Sequence, residues 1–287
     1  MPLFIIRLIA RLPLPILHGL GRVLGLFIYA LPGRYRNRLR ANAAQAGYPQ
    51  ASFARRAAAE SGAMIVETPK VWLYPEYCVA RTFSNDDHVI TDALSENRGI
   101  LFLTPHLGCY EITARHISGL VPLTVMFRPP RQRILVPIME HIRDTPRVTA
   151  VPATTQGVRA FVRALKRGES VGMLPDQVPS SGTGVWASFF DKPAYTVTLP
   201  GKLAIQTGVA VIIAVGERLP RGKGWRIHFT RVPDPIPTDA RQQAQLFNSQ
   251  METLIRRIPE QYLWSYNRYK APGGAPQPSD VMSADAS

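Results

Sequence analysis

The amino-acid sequence predicts an α/β fold: a central, mostly parallel or mixed sheet flanked by helices, with a membrane-associated helix at the N-terminus. Three observations carry that expectation. Short, largely apolar runs of strand length recur at Ile100–Thr104 (ILFLT), Leu123–Phe127 (LTVMF), Val171–Leu174 (VGML) and Val209–Val215 (VAVIIAV). Amphipathic segments at 132–143, 156–167 and 198–207 lie between them, the alternation that builds parallel sheets through helical crossovers. Residues 3–32 are rich in Leu, Ile and Phe yet carry a sparse set of basic residues.

Taken in order, the N-terminal segment holds Arg7, Arg11, His18 and Arg22, at spacings of 4, 7 and 4. At the pitch of an α-helix these fall within about 60° of one another, a narrow basic stripe on an apolar rod. A spanning helix needs about 20 nearly uncharged residues, and Pro13, Pro15, His18 and Arg22 interrupt the best window, 12–31. The expected arrangement is a helix or broken helix pressed into the membrane interface, its Arg side toward lipid phosphates. No small-residue cleavage site follows, so the segment does not read as a removable signal peptide. Arg34, Arg36, Arg38 and Arg40 come next, a juxtamembrane basic run that favours an anionic, cytoplasm-facing leaflet.

Residues 51–73 read as a helix, Trp225–Val232 as a half-exposed alternating strand, and 239–258 as a final helix with Thr238 as its N-cap. Its apolar face would be Phe247, Met251, Leu254, Ile255 and Ile258. From 271 to 287 the chain is Pro, Gly, Ala and Ser without periodicity and reads as a disordered tail. The expected organisation is therefore a membrane-associating helix over 1–33, one catalytic domain over 34–270, and the tail.

Composition narrows the function classes. Lys and Arg total 34 against 20 Asp and Glu, a net charge of +14, which calls for an anionic partner. No DNA- or RNA-binding signature accompanies that charge, so a basic nucleic-acid binder is a remote alternative and nucleic acid is not an expected partner. The two cysteines, Cys78 and Cys109, form no C-x-x-C pair or disulfide framework, in keeping with a reducing compartment.

The chemistry concentrates in Leu101-Phe-Leu-Thr-Pro-His106-Leu-Gly-Cys-Tyr-Glu111. A buried strand stops at a proline, His106 follows at once, and Glu111 lies five residues further. On one continuous helix such a pair would point about 140° apart; they can meet only with His106 on the turn and Glu111 in the next helix, with Gly108 permitting the turn. A neutral imidazole can take a proton from a hydroxyl while a carboxylate on its other nitrogen fixes the tautomer. The acceptor's own hydroxyl then attacks, and no protein nucleophile is needed. Cys109 is the rival nucleophile, but nothing near it in sequence marks a thiolate. A metallohydrolase site built from His106, Glu111 and His116 lacks the i, i+4 histidine spacing of a helical zinc site, so no metal is expected. Arg128 and Asp176 each end a predicted strand, and Arg159, Arg163 and Lys166 share one face of the 156–167 helix.

The H-x4-E segment after its strand resembles the H-x4-(D/E) motif of the lipid A biosynthesis acyltransferases, within the wider lysophospholipid acyltransferase superfamily. Four further blocks resemble that family in order. They are Met126-Phe-Arg128-Pro-Pro130; Gly172-Met-Leu-Pro-Asp176-Gln177 with Trp186–Asp191; Thr198–Gly208; and Pro259-Glu-Gln-Tyr-Leu-Trp264-Ser-Tyr-Asn-Arg268. Ser188 and Asp191 stand where the family pattern has Pro and Gly. The resemblance implies transfer of a fatty acyl group to a hydroxyl of a lipid A precursor at the cytoplasmic face of the inner membrane. It implies His106 and Glu111 as catalytic residues, Arg128, Asp176 and Gln177 as substrate-binding residues, and no cofactor. The donor would be an acyl carrier protein thioester, or coenzyme A in its place, and the acceptor a phosphorylated glycolipid at an anionic membrane surface. A lysoglycerophospholipid or other membrane lipid is the alternative acceptor.

Overall fold

The computed structural model describes residues 2–127, 147–180 and 182–278. Seven strands form one sheet in the order β1-β9-β8-β2-β5-β3-β4, where β1 is Thr82–Ser84, β2 Ile100–Leu103, β3 Leu123–Phe127, β4 Val148–Pro152, β5 Ser170–Met173, β8 Ala210–Arg218 and β9 Trp225–Arg231. Every neighbouring pair is parallel except β8 and β9. The connection between those two is a short turn through Pro220–Gly222, too brief for the crossover that a parallel pair requires. A separate antiparallel hairpin joins β6 (Gly184–Phe189) to β7 (Lys192–Val197). The α/β class expected from the sequence is the observed one.

Strand alternation divides the core into two layers. Leu101, Leu103, Val171, Val211 and Ile213 point to one face, which is covered by α8 (Thr155–Lys166), α9 (Leu199–Thr207) and α10 (Ala240–Arg257). Ile100, Phe102, Ala210 and Ile212 point to the other, against α6 (His88–Ser95) and α7 (Tyr110–Leu120). Burial on both faces explains why these strands read as continuous apolar runs. The predicted helix over 132–143 lies outside the described residues. The N-cap of α10 is Asp239, one residue later than expected: its carboxylate accepts from the N–H groups of Arg241 and Gln242, a geometry the neighbouring Thr238 does not share. The hairpin escaped the sequence reading because its turn is unusual. Phe190 and Asp191 both have positive φ, 48° and 58°, the type I′ geometry that suits a two-residue loop but normally selects Asn or Gly.

The N-terminal segment is two helices, α1 (Pro2–Arg11) and α2 (Leu14–Ala30), broken at Pro13. It is followed by α3 (Arg34–Gln45), α4 (Ala51–Leu73) and the short α5 (Pro75–Val79). Glycines let α2 and α4 pack backbone to backbone. A Cβ at Gly25 would lie 2.1 Å from the Ala58 carbonyl oxygen, and one at Gly62 2.0 Å from that of Gly21. The basic stripe is split: Arg7 and Arg11 on α1 are exposed as expected, whereas His18 and Arg22 on α2 turn toward α4. His18 is buried with its Nε2 2.9 Å from Glu67, Arg22 bonds Glu60 at 2.8 Å, and Arg11 reaches the Tyr74 hydroxyl. Buried charges require partners, and α4 supplies Glu60 and Glu67, so the polar side of α2 turns inward. Its apolar side is left outside: Leu20, Val23, Leu24, Phe27 and Leu31 are exposed, Val23 by 67% and Phe27 by 63%. Among the described residues no single helix is long and apolar enough to cross a membrane, although α2 with α3, bent by 99°, passes that test as a pair.

Candidate active site

The connections out of β2 and β5 run to opposite sides of the sheet. After β2 the chain passes through α7 to β3, whereas after β5 it passes through the hairpin and α9 to β8. Adjacent parallel strands whose connections diverge leave a crevice at their carboxyl ends, the usual place for a ligand. His106 sits there. The register pairs Leu103 of β2 with Met173 of β5, and three residues beyond each lie His106 and Asp176. The two are brought side by side: the Asp176 carboxylate accepts from His106 Nδ1 at 2.7 Å and from the His106 backbone N–H at 2.9 Å.

The turn that carries His106 is held from both sides. Gly108 adopts φ +63°, and a Cβ there would fall 2.0 Å from the Gly216 carbonyl oxygen, so conformation and space both demand glycine. The N–H of Gly108 donates to the Gln261 carbonyl and that of Leu263 to the His106 carbonyl, both at 3.0 Å. The Cys109 N–H reaches the Gly216 carbonyl at 2.7 Å. Gln261 in turn exchanges two side-chain hydrogen bonds with the backbone of Arg218 at the end of β8. The C-terminal PEQYLW segment is thus a strap that fixes the His106 turn.

The electrostatics follow from these contacts. Burial disfavours the imidazolium of His106, but the charge and hydrogen bond of Asp176, with the more distant charge of Glu111, outweigh it and raise the pKa above the ordinary histidine value. Asp176 is buried, which alone would raise its pKa; the His106 charge, side chain and backbone N–H, together with Arg268, hold it below the usual carboxylate value. The Tyr262 hydroxyl also hydrogen-bonds Asp176. With Nδ1–H committed to a carboxylate, neutral His106 presents an unprotonated Nε2, which the Gln177 side-chain amide meets at 3.1 Å. The Tyr110 ring packs edge-on against the imidazole, centroids 5.0 Å apart.

The carboxylate on the His106 ring is therefore Asp176, where the sequence reading had placed Glu111. Parallel pairing of β2 with β5 puts Asp176 beside Nδ1, while Glu111 lies in the first turn of α7, half-buried, hydrogen-bonded to the Trp72 indole and close to Arg115. Burial raises the pKa of Glu111 against the opposing influence of Trp72, Arg115 and His106. Asp176 and Gln177 both reach His106. Arg128 lies outside the described residues. Cys109 is buried, and burial pushes its thiol pKa up, the opposite of the lowered value that marks a nucleophilic thiolate. His116 pairs with Asp87 at 3.1 Å.

Three residues of the site went unassigned from sequence: Tyr110, Tyr262 and Arg268. Arg268 is buried, donates to the Tyr195 carbonyl and the Thr196 hydroxyl, and adds positive potential at Asp176. An arginine and a tyrosine six residues apart in the strap segment were the available signal. Beside His106 lies a cavity of about 630 Å³ lined by Met126, Val158, Met173, Leu174, Val197 and Leu199, with Lys202 also on its wall. A histidine whose Nε2 borders a mostly apolar groove can accept a proton from a hydroxyl held beside an apolar chain.

A sequence profile of the bacterial lipid A biosynthesis acyltransferases matches residues 1–271. The chain is 28% identical to the lipid A biosynthesis palmitoleoyltransferase of Escherichia coli K12, over 91% of this chain and 87% of that protein. It is 27% identical to the lipid A biosynthesis lauroyltransferase of the same organism, over 95% and 91% respectively. With a lipid A biosynthesis acyltransferase of Haemophilus influenzae it shares 26% identity over 61% of this chain and 55% of that protein. A match that runs from the N-terminal helices through the His106 turn to the strap places this chain in the family of bacterial lipid A biosynthesis acyltransferases.

Proposed function

We propose that this acyltransferase moves a fatty acyl group from a thioester, carried by acyl carrier protein or coenzyme A, to a hydroxyl of a phosphorylated lipid A precursor, with His106 as general base. The supporting observation is the Asp176–His106 pair, which turns a basic Nε2 toward an apolar groove. The acceptor hydroxyl takes the place of the Gln177 amide at Nε2 and loses its proton there as its oxygen attacks the thioester carbon. The resulting oxyanion collapses, the C–S bond breaks, and the imidazolium returns its proton to the departing thiolate. Asp176 orients the ring and stabilises the imidazolium; half-buried Glu111 adds a second negative potential when ionised. Gln177, freed from Nε2, is a candidate donor to the oxyanion. Arg128 is assigned to the acceptor head on the family resemblance alone.

The membrane assignment rests on α2, whose polar side is consumed by α4 while its apolar side is exposed. That side is suited to the acyl region of one leaflet. The arginines of α3 and the uncrosslinked, buried cysteines favour the cytoplasmic face of the inner membrane. Purified protein incubated with an acyl carrier protein thioester and either a lipid A precursor or a lysoglycerophospholipid tests the assignment. Product on the precursor that disappears in His106→Ala is expected; product only on the lysophospholipid overturns the acceptor assignment and keeps the mechanism.

A further inference from the structure

From Arg147 to Gly168 the chain carries five basic residues and no acidic one. Arg147 donates to the carbonyls of Gly119 and Leu120, and Arg167 pairs with Glu169 at 2.7 Å. The other three, Arg159, Arg163 and Lys166, are exposed on α8, and none has an ion pair among the described residues. At the pitch of an α-helix they fall within about 60° of one another, a stripe about 10 Å long. The opposite side of α8 buries Phe161, Ala164 and Leu165 in the core. α8 packs on β3, β4, β5 and α9, and none of these four elements contains Asp or Glu. The stripe also begins at the cavity beside His106: Thr155, one turn before Arg159 on the same side of the helix, lines that cavity, as does the exposed Lys202 of α9.

We infer that this face of α8 docks the acidic carrier protein that brings the acyl thioester. A helix face that presents cations without interleaved anions attracts a partner with an acidic surface and orients it on approach. Position favours a protein over the membrane as the occupant. The proposed membrane contact, α2, packs against α4 and the Pro220–Gly222 turn, beyond the carboxyl end of β8. α8 lies over β5, β3 and β4, toward the other end of the strand order, and joins β4 to β5. It therefore runs from the carboxyl ends of the strands back to their amino ends, and the stripe leads away from the edge where α2 sits. A carrier seated on it has the cavity mouth at one end of its footprint, so a thioester on a flexible arm enters past Thr155 and reaches His106. The inference rests on the proposed carrier-bound donor and supplies the surface that holds the carrier, which a coenzyme A thioester does not need.

Holo-acyl carrier protein is titrated calorimetrically into the full-length protein in detergent, into R159E/R163E/K166E, and into R55E/K223E/K270E, which makes the same change of charge at three exposed residues outside α8. Thermal melting of both variants is checked against wild type. The α8 variant is expected to lose about tenfold or more in carrier affinity and the second variant less than about threefold; added salt should weaken wild-type binding. In turnover, the α8 variant should show a raised KM for the acyl carrier protein thioester and unchanged use of S-acyl pantetheine, the same thioester without the protein. Equal carrier affinity in a normally folded α8 variant, or an equal loss in the second variant, overturns the docking face. A matching loss with S-acyl pantetheine also overturns it, since the defect then lies in the groove. Lost sedimentation with anionic vesicles at unchanged carrier affinity assigns the face to the membrane instead. Because the titration involves no acyl group, it fails or succeeds separately from the acyl-transfer reading, which His106→Ala decides.

Discussion

Asp176→Asn removes the charge from the His106 pair while keeping its shape. In the native site the carboxylate accepts from His106 Nδ1, the His106 backbone and the Tyr262 hydroxyl. An amide can offer one oxygen to these donors, and its NH₂ can face Nδ1, stabilising the tautomer that carries its proton on Nε2. A base protonated on the nitrogen that faces the acceptor cannot take the acceptor's proton. Loss of a charge-assisted hydrogen bond is worth about 1.5–3 kcal/mol, or about 10- to 100-fold, and the wrong tautomer adds to it. A fall in kcat of about 10²- to 10⁴-fold is expected, the range typical of general-base catalysis. The pH profile moves as well. The folded pKa of His106 is raised above 6.5, mainly by Asp176 working against burial. Wild-type kcat/KM should therefore climb with pH through an acid limb above that value, and what activity remains in Asp176→Asn should show that limb at lower pH. Radiolabelled acyl transfer, followed across pH with purified protein in detergent, measures both. An Asp176→Asn variant within about threefold of wild type, with its acid limb unmoved, would refute the assignment of Asp176 as the orienting carboxylate.

His106→Ala should lose at least as much activity, and some thermal stability with it because buried Asp176 loses its main partner; retention of activity within threefold in the folded variant would remove it as the base. Glu111→Gln should cost less than Asp176→Asn, since Glu111 acts on the ring through charge without a hydrogen bond, and the ranking of the two kcat values checks this. Glu67 carries a stability signature: burial opposes its charge, but Arg218 and His18 bring its pKa down from 4.5 to about 2. Its stabilisation should be complete above about pH 4.5 and be lost as pH falls toward 2, a slope that denaturant unfolding should no longer show for this residue in Glu67→Gln. That variant, which leaves Arg218 buried without its main partner, should also lose about 3–5 kcal/mol at neutral pH. Val23→Glu and Phe27→Glu should weaken sedimentation with anionic vesicles about tenfold or more each while leaving the fold intact, because both side chains are exposed and each forfeits about 1.5–3 kcal/mol of apolar burial. Unaltered sedimentation would dismiss α2 as the membrane contact.

The sheet was legible because its strands are buried on both faces and therefore appear as apolar runs; Leu123–Phe127 has the same bounds in sequence and structure. What could not be read was adjacency. Nothing in the order of residues says that β5 returns to lie beside β2, so the carboxylate nearest in sequence, Glu111, took the role that the Leu103–Met173 register gives to Asp176. The stripe of α2 failed for a related reason. Periodicity placed His18 and Arg22 on one side of α2 correctly, but the side they face depends on Glu60 and Glu67, some forty residues away on another helix. Short edge strands such as Thr82–Ser84 and the Phe190–Asp191 turn carry too little pattern to be found alone.

The strap bears on how the enzyme comes into being. During synthesis every strand of the sheet, His106, Asp176 and the cavity wall leave the ribosome before residues 259–268. Until those residues arrive, the His106 carbonyl and the Gly108 N–H lack Leu263 and Gln261, and Asp176 lacks Tyr262 and Arg268. A nascent chain with a complete sheet and an exposed apolar α2 can thus settle on the membrane with its base still unset. On the proposed mechanism, the geometry of the base is then the last feature of the domain to form, set by residues 259–268.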